Sequence, residues 1–175
     1  PHSEEIVWTT TEDGLRHHGL VIRPVRPNPE HPVVVWMHGA TLSFSDPLPV
    51  LLGRRLAARG HTFVTGNNRG HHALVPLGFR DDGRMVPGGT WAEKFSESAL
   101  DVAAWTDIAC ALGFAQVVLV GHSYRGAKVV CYQAERADTR VAGVVSASMS
   151  VRLNRTLGGP EATQLAERMV VEGRG

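Results

Sequence analysis

In Gly121-His122-Ser123-Tyr124-Arg125-Gly126 a serine hydroxyl sits among small residues, directly after the apolar run Gln116-Val117-Val118-Leu119-Val120. A hydroxyl is a weak nucleophile until a neighbouring base takes its proton, so such a serine has to be held clear of the backbone. The run before it predicts a strand buried on both faces, and the residues after it predict a helix to about Arg136. Ser123 thus falls in a strand-turn-helix, at the C-terminal edge of the strands, where ligands of open α/β sheets bind. The unpaired N–H groups and positive dipole end of that helix favour negative charge developing on a bound carbonyl oxygen. Attack on an acyl carbonyl is the chemistry this pattern suits.

A second group follows another strand-like run, Pro32-Val33-Val34-Val35-Trp36-Met37, which ends in His38-Gly39-Ala40-Thr41. A third is His71-His72, which lacks a carboxylate or cysteine at ligand spacing and reads as part of a solvated loop rather than a metal site. His122 reads as a packing residue. Arg125 and Lys128 are assigned to a solvated helix face.

The elements that must position these residues alternate short β-branched runs with helical patterns, the signature of a parallel sheet. Glu5 to Thr11 and Arg16 to Arg23, joined around Asp13-Gly14, predict an antiparallel hairpin at its start. Asp46 to Arg59 predicts a helix with Leu48, Leu51, Leu52 and Leu56 on one face and Gly60 in the C-cap role. Thr62-Phe63-Val64-Thr65 predicts a short strand that runs into Gly66-Asn67-Asn68-Arg69-Gly70-His71-His72. That turn-rich segment opens a loop of roughly twenty residues, long enough to suggest function. Thr90-Trp91-Ala92-Glu93 fits the S/T-x-x-E capping box and predicts a long helix from that point. Phe95, Ala99, Val102, Trp105, Ala109 and Leu112 form its buried stripe, and Gly113 ends it. Val141 to Ala147 predicts one more buried strand, and Glu161 to Val171 a helix that begins a lid or crossover.

Taken together these features resemble the α/β-hydrolase family, whose nucleophile elbow G-x-S-x-G is matched by Gly121-His122-Ser123-Tyr124. The resemblance departs at the family's second glycine, which falls on Arg125, with glycine arriving at Gly126; it implies an altered elbow or an outward side chain there. It also implies an oxyanion hole made by the backbone N–H of Ala40, from the His38-Gly39-Ala40 loop, and the backbone N–H of Tyr124. His38 then has a structural role, its ring bonding backbone in that loop. Asn68-Arg69-Gly70-His71 looks like the R-G-H turn that follows the next strand in the family. The implied fold is a three-layer α/β/α sandwich with a mostly parallel sheet and an antiparallel N-terminal hairpin, lacking its C-terminal strands.

All nine histidines precede Ser123, whereas the family order is Ser, then Asp or Glu, then His. Glu161, Glu167 and Glu172 lie on the last helix, and none is assigned as the triad acid. The acid and base are expected from a C-terminal remainder of the same protein, as a second chain or a further part, and Gly173-Arg174-Gly175 reads as an exposed segment open to cleavage. The implied activity is hydrolysis of an ester, thioester or amide of a small molecule, with no metal or organic cofactor. The alternative is a non-catalytic protein of the same fold that binds a small ligand.

Composition narrows the other classes. With 43% hydrophobic and 20% charged residues the chain suits one globular domain. A formal net charge of +1 gives no reason to expect nucleic acid or an anionic membrane as partner. Neither G-x-G-x-x-G nor G-x-x-x-x-G-K-[ST] occurs, which argues against nucleotide binding. Cys110 and Cys131 fall in helical stretches without C-x-x-C spacing and read as reduced core residues. No apolar run nears bilayer length, and Pro1-His2-Ser3-Glu4-Glu5 lacks a basic start followed by an apolar stretch, so a cytoplasmic location is expected.

Overall fold

The computed structural model describes residues 1–149 and 159–173. The N-terminal hairpin forms as β1 (His2–Thr10) and β2 (Arg16–Pro24), antiparallel, with Ile6 opposite Leu20. It is longer at its start than its apolar alternation suggests. β3 (Val33–Met37), β4 (Phe63–Gly66), β7 (Val117–His122) and β8 (Val141–Ala147) complete a six-stranded sheet in the order β1-β2-β4-β3-β7-β8. β3 pairs in parallel with β4 and β7, β7 pairs in parallel with β8, and β2 meets β4 antiparallel. Among the described residues β8 has a partner on one side alone.

Alternate residues of each strand face opposite sides of the sheet. Leu20, Ile22, Trp36 and Phe63 pack beneath α1 (Pro47–Ala57), while Val21, Val35, Val64 and Leu119 face α2 (Ser98–Ala111) and α3 (Tyr124–Arg136). Helices on both faces give the expected three layers.

α1 departs in part from its predicted face. Leu52 and Leu56 pack against the sheet as predicted, but Leu48 and Leu51 are 51% and 55% exposed, and the fully buried residues are Pro49, Gly53 and Ala57. The reason is close approach. A Cβ on Gly53 would stand 2.6 Å from Ile22 Cδ1 and from Phe63 Cδ1, so the helix sits on the sheet through its small residues. Gly60 closes the helix as expected, with φ 91° and its N–H donating to Ala57 O.

The long loop after β4 contains an antiparallel hairpin, β5 (Val75–Phe79) and β6 (Met85–Gly88), which the sequence did not predict. Pro76 and Pro87 supply no ladder N–H, which a two-stranded sheet with two free edges tolerates. The long helix also starts later than its capping signature implies, at Ser98 after a 3₁₀ turn (Phe95–Glu97). Ala99, Val102, Trp105 and Ala109 are buried as the stripe predicts, and Gly113 ends the helix with φ 93°. Cys110 and Cys131 lie on α2 and α3, unpaired and half-buried rather than in the core. α4 (Gly159–Val171) matches the last predicted helix; of the lid or crossover expected over about 150–175, residues 150–158 lie outside the described residues.

Candidate active site

Ser123 has φ 54° and ψ −126°, between the end of β7 and the first residue of α3. A positive φ with extended ψ is a strained conformation for a residue with a Cβ, worth roughly 1–3 kcal/mol, and it persists only where the surroundings impose it. Here the Ser123 N–H donates to Ala147 O at 2.8 Å, pinning the turn to the end of β8.

Two glycines make the turn possible. A Cβ on Gly121 would overlap the Arg125 backbone, and one on Gly126 would stand 2.9 Å from Met149 Cβ and against Ser146 Oγ. The close approaches therefore fall on positions 121 and 126, and position 125 is left with room for a side chain.

Arg125 uses that room inwards. The expectation of a solvated Arg125 and Lys128 is overturned: both are buried, Arg125 completely and Lys128 at 2% exposure. The Arg125 guanidinium donates from Nε and Nη2 to Asn68 Oδ1 at 3.1 and 2.8 Å and from Nη2 to Gly70 O at 3.0 Å, with Nη1 2.9 Å from Glu93 Oε2. Lys128 pairs with the other oxygen of Glu93. Burial pulls the Arg125 pKa down to about 10. Burial, with the Arg69 charge, pulls Lys128 down to about 7; its contact with Glu93 works the other way.

Thr90 and Glu93 are therefore not a helix cap. Thr90 Oγ1 donates to Gly70 O and accepts the Thr41 N–H at 3.0 Å, which ties the loop after β3 to the loop after β4. A capping signature is local, and it cannot reveal that distant carbonyls and cations claim the same side chains. Glu93 and Asn68 are the site residues that sequence reasoning missed. The signal was Arg125 itself, since an arginine beside a close-packed turn needs a buried carboxylate.

The loop after β3 lies against the serine: a Cβ on Gly39 would be 3.4 Å from Ser123 Cβ. Its His38 is 1% exposed, and Nδ1 bonds Gly39 O at 2.8 Å, so the ring does bond backbone as expected. Burial holds the His38 pKa down to about 3, so the ring is neutral. Neither the Ala40 N–H nor the Tyr124 N–H donates to a loop backbone acceptor among the described residues. His122 stacks on Trp36 with centroids 5.6 Å apart, a packing role. His71 is half-buried, its Nδ1 bonding Asn68 O, while His72 is exposed. Among the described residues no cluster of His, Cys, Asp and Glu could hold a metal ion.

A second buried network fixes the loop that carries Asn68. Asp101, 1% exposed, accepts from the Arg69 N–H and Nε at 3.1 Å and meets His17 Nε2 at 3.0 Å, while Arg69 Nη2 reaches Asp13. The R-G turn is thereby tied to α2 and to the N-terminal hairpin.

No family model and no curated protein sequence matches the chain. Solved structures do. A hypothetical protein from Pseudomonas aeruginosa superposes with a TM-score of 0.72 at 16% identity, over 97% of this chain and 52% of that one. The α/β hydrolase GrgF from Penicillium sp. sh18 gives 0.71 at 18%, over 98% and 54%. The esterase Pf2001 from Pyrococcus furiosus gives 0.63 at 18%, over 87% and 54%. The chain spans about half the length of these structures. Its strand order, its strained serine between β7 and α3, and these likenesses together give it the α/β-hydrolase fold.

Proposed function

We propose that the chain is part of a serine hydrolase that cleaves an ester, thioester or amide bond of a small molecule. The observation that carries this reading is the φ 54°, ψ −126° conformation of Ser123 at the C-terminal edge of the sheet. Ser123 Oγ attacks the carbonyl carbon as a histidine takes its proton, and the N–H groups of Ala40 and Tyr124 bind the resulting oxyanion. The oxyanion collapses, the leaving group departs with that proton, and water then releases the acyl group by the same steps. The likeness to GrgF and Pf2001 supports a hydrolase.

The acid and the histidine come from a C-terminal remainder of the same protein. Two observations favour such a partner: Val145 on the outermost strand is 47% exposed, and the chain spans about half of the structures it matches. The remainder would extend the sheet beyond β8. No described helix is long and apolar enough to cross a membrane.

The competing reading, a ligand binder without catalysis, draws its support from Arg125 in the elbow and from the absence of a histidine after Ser123. With the guanidinium buried against Asn68 and Glu93, Arg125 no longer obstructs the turn. In the full protein, Ser123→Ala is expected to abolish hydrolysis of a short p-nitrophenyl ester and labelling by a fluorophosphonate, a loss of several orders of magnitude. Near-full activity in that variant would exclude Ser123 as the nucleophile.

A further inference from the structure

The Gly39 carbonyl and the Ala40 N–H belong to one peptide unit. That unit is planar and trans, so its C=O and N–H point in opposite directions, and whatever holds the carbonyl aims the N–H. Two donors reach that carbonyl, the Leu42 N–H at 3.4 Å and, closer, His38, whose Nδ1 lies 2.8 Å from Gly39 O. A carbonyl oxygen accepts, so Nδ1 carries the ring proton, and in a neutral ring Nε2 is then a bare acceptor. Nε2 lies 3.2 Å from Asn68 Nδ2, a donor.

The Asn68 amide is oriented in turn. Its Oδ1 faces three donors: Arg125 Nε at 3.1 Å, Arg125 Nη2 at 2.8 Å and the Gly70 N–H at 3.1 Å. A reversed amide would point its NH₂ at all three. Arg125 has no acceptor to offer, so it sets Asn68, Asn68 sets the tautomer of His38, and His38 sets the direction of the Gly39–Ala40 peptide.

We propose that Arg125 is a positioning residue for the oxyanion hole, acting through Asn68 and His38 to aim the Ala40 N–H. This rests on the serine-hydrolase reading. It also accounts for a large cation two residues after the nucleophile, where a glycine is the family's rule: the side chain occupies the space beside the turn and organises the opposite wall of the site. Glu93 Oε2 at 2.9 Å and Gly70 O at 3.0 Å hold the guanidinium in place.

The test uses the full protein that contains this chain, with p-nitrophenyl acetate as probe. Loss of one oxyanion donor lowers kcat by 10²–10³-fold in a well-studied case, so a disoriented donor in Asn68→Leu should lower kcat on the order of 10- to 100-fold with KM little changed. Asn68→Asp gives a readout that loss of packing would not produce. Its carboxylate still accepts from Arg125 but offers Nε2 no donor, so His38 must either take a second proton or move its single proton to Nε2. The second choice presents a bare Nδ1 to Gly39 O, repels it and leaves the carbonyl to the longer Leu42 N–H bond alone. Relative to wild type, kcat of Asn68→Asp should therefore fall as pH rises through the His38 pKa. The charged and titratable groups facing His38 are Arg125 on α3, His71 and His72 after β4 and, across Gly39, His122 on β7.

¹⁵N NMR of the wild-type protein should find His38 as the neutral Nδ1–H tautomer, a result that needs no activity and no folded variant. An Nε2–H tautomer in wild type, or an Asn68→Leu enzyme with undiminished kcat, overturns the relay. Full hydrolysis by Ser123→Ala instead removes the hydrolase reading, and the oxyanion role with it.

Discussion

Beneath α1 the sheet meets apolar side chains, Leu20, Ile22, Trp36, Phe63 and Ala57. Beneath α2 and α3 an apolar core of Val21, Val35, Val102, Trp105 and Leu119 runs up, towards the serine, into buried Asn68, Arg69, Glu93, Asp101, Arg125 and Lys128. The first face is held by close packing and tolerates exchange of apolar groups of similar volume. The second depends on partners arriving from several loops at once, because a buried charge is tolerable only when matched. Stability on one face is spread over many contacts, while on the other it hangs on a few irreplaceable ones.

The strongest challenge to that contrast is Glu93→Ala, which leaves Arg125 and Lys128 buried without their carboxylate. The expected loss is about 3–5 kcal/mol in urea unfolding. A loss below about 1 kcal/mol would mean that water reaches the cluster and that the two faces are alike.

His38 adds a dependence on pH. Its pKa is about 3 in the folded state against 6.5 for the free group, so between those values the unfolded chain binds a proton that the folded chain refuses. Stability from this group is complete above pH 6.5 and is lost as pH falls towards 3, by roughly 4 kcal/mol at the lower end. His38→Asn should flatten that part of the stability curve relative to wild type, whatever its effect at neutral pH.

On the other face, Gly53→Val should lower stability by about 1–3 kcal/mol through overlap with Ile22 and Phe63. Leu48→Ser, on the exposed side of the same helix, should change it by less than about 0.5 kcal/mol. Equal effects of the two substitutions would place Leu48 on the packing face with Leu52 and Leu56.

The same division governs what the sequence reveals. Continuous apolar runs in β3 and β7, and the three-and-four spacing of Ala99, Val102, Trp105 and Ala109, predict the apolar layers because each element carries its own pattern. The turn at Ser123 is legible for a related reason: strand, serine and helix are contiguous. The α1 face misleads because a glycine contributes nothing to an apolar count yet permits the closest contact. Thr90 and Glu93 mislead because a capping box and a pair of long-range ligands have the same spelling. β5 and β6 are hidden by Pro76 and Pro87. Arg125 and Lys128 read as solvated because charge alone does not tell whether a counter-charge, here Glu93 thirty-two positions earlier in the chain, folds back to meet it.

The buried arginine also constrains how this sequence can change over generations. A single step from Arg125 to the more usual glycine would open a void and leave Asn68 Oδ1 with the Gly70 N–H alone of its three donors; Glu93 would keep one cation, Lys128, of the two it now holds. A step that first neutralises Glu93 would strand Arg125 instead. Positions 68, 93 and 125 can therefore drift only in concert, and the route between an arginine elbow and a glycine elbow passes through intermediates less fit than either end. Pairwise mutational scanning should find these three positions strongly coupled, while Leu48 and Leu51 vary independently of everything else.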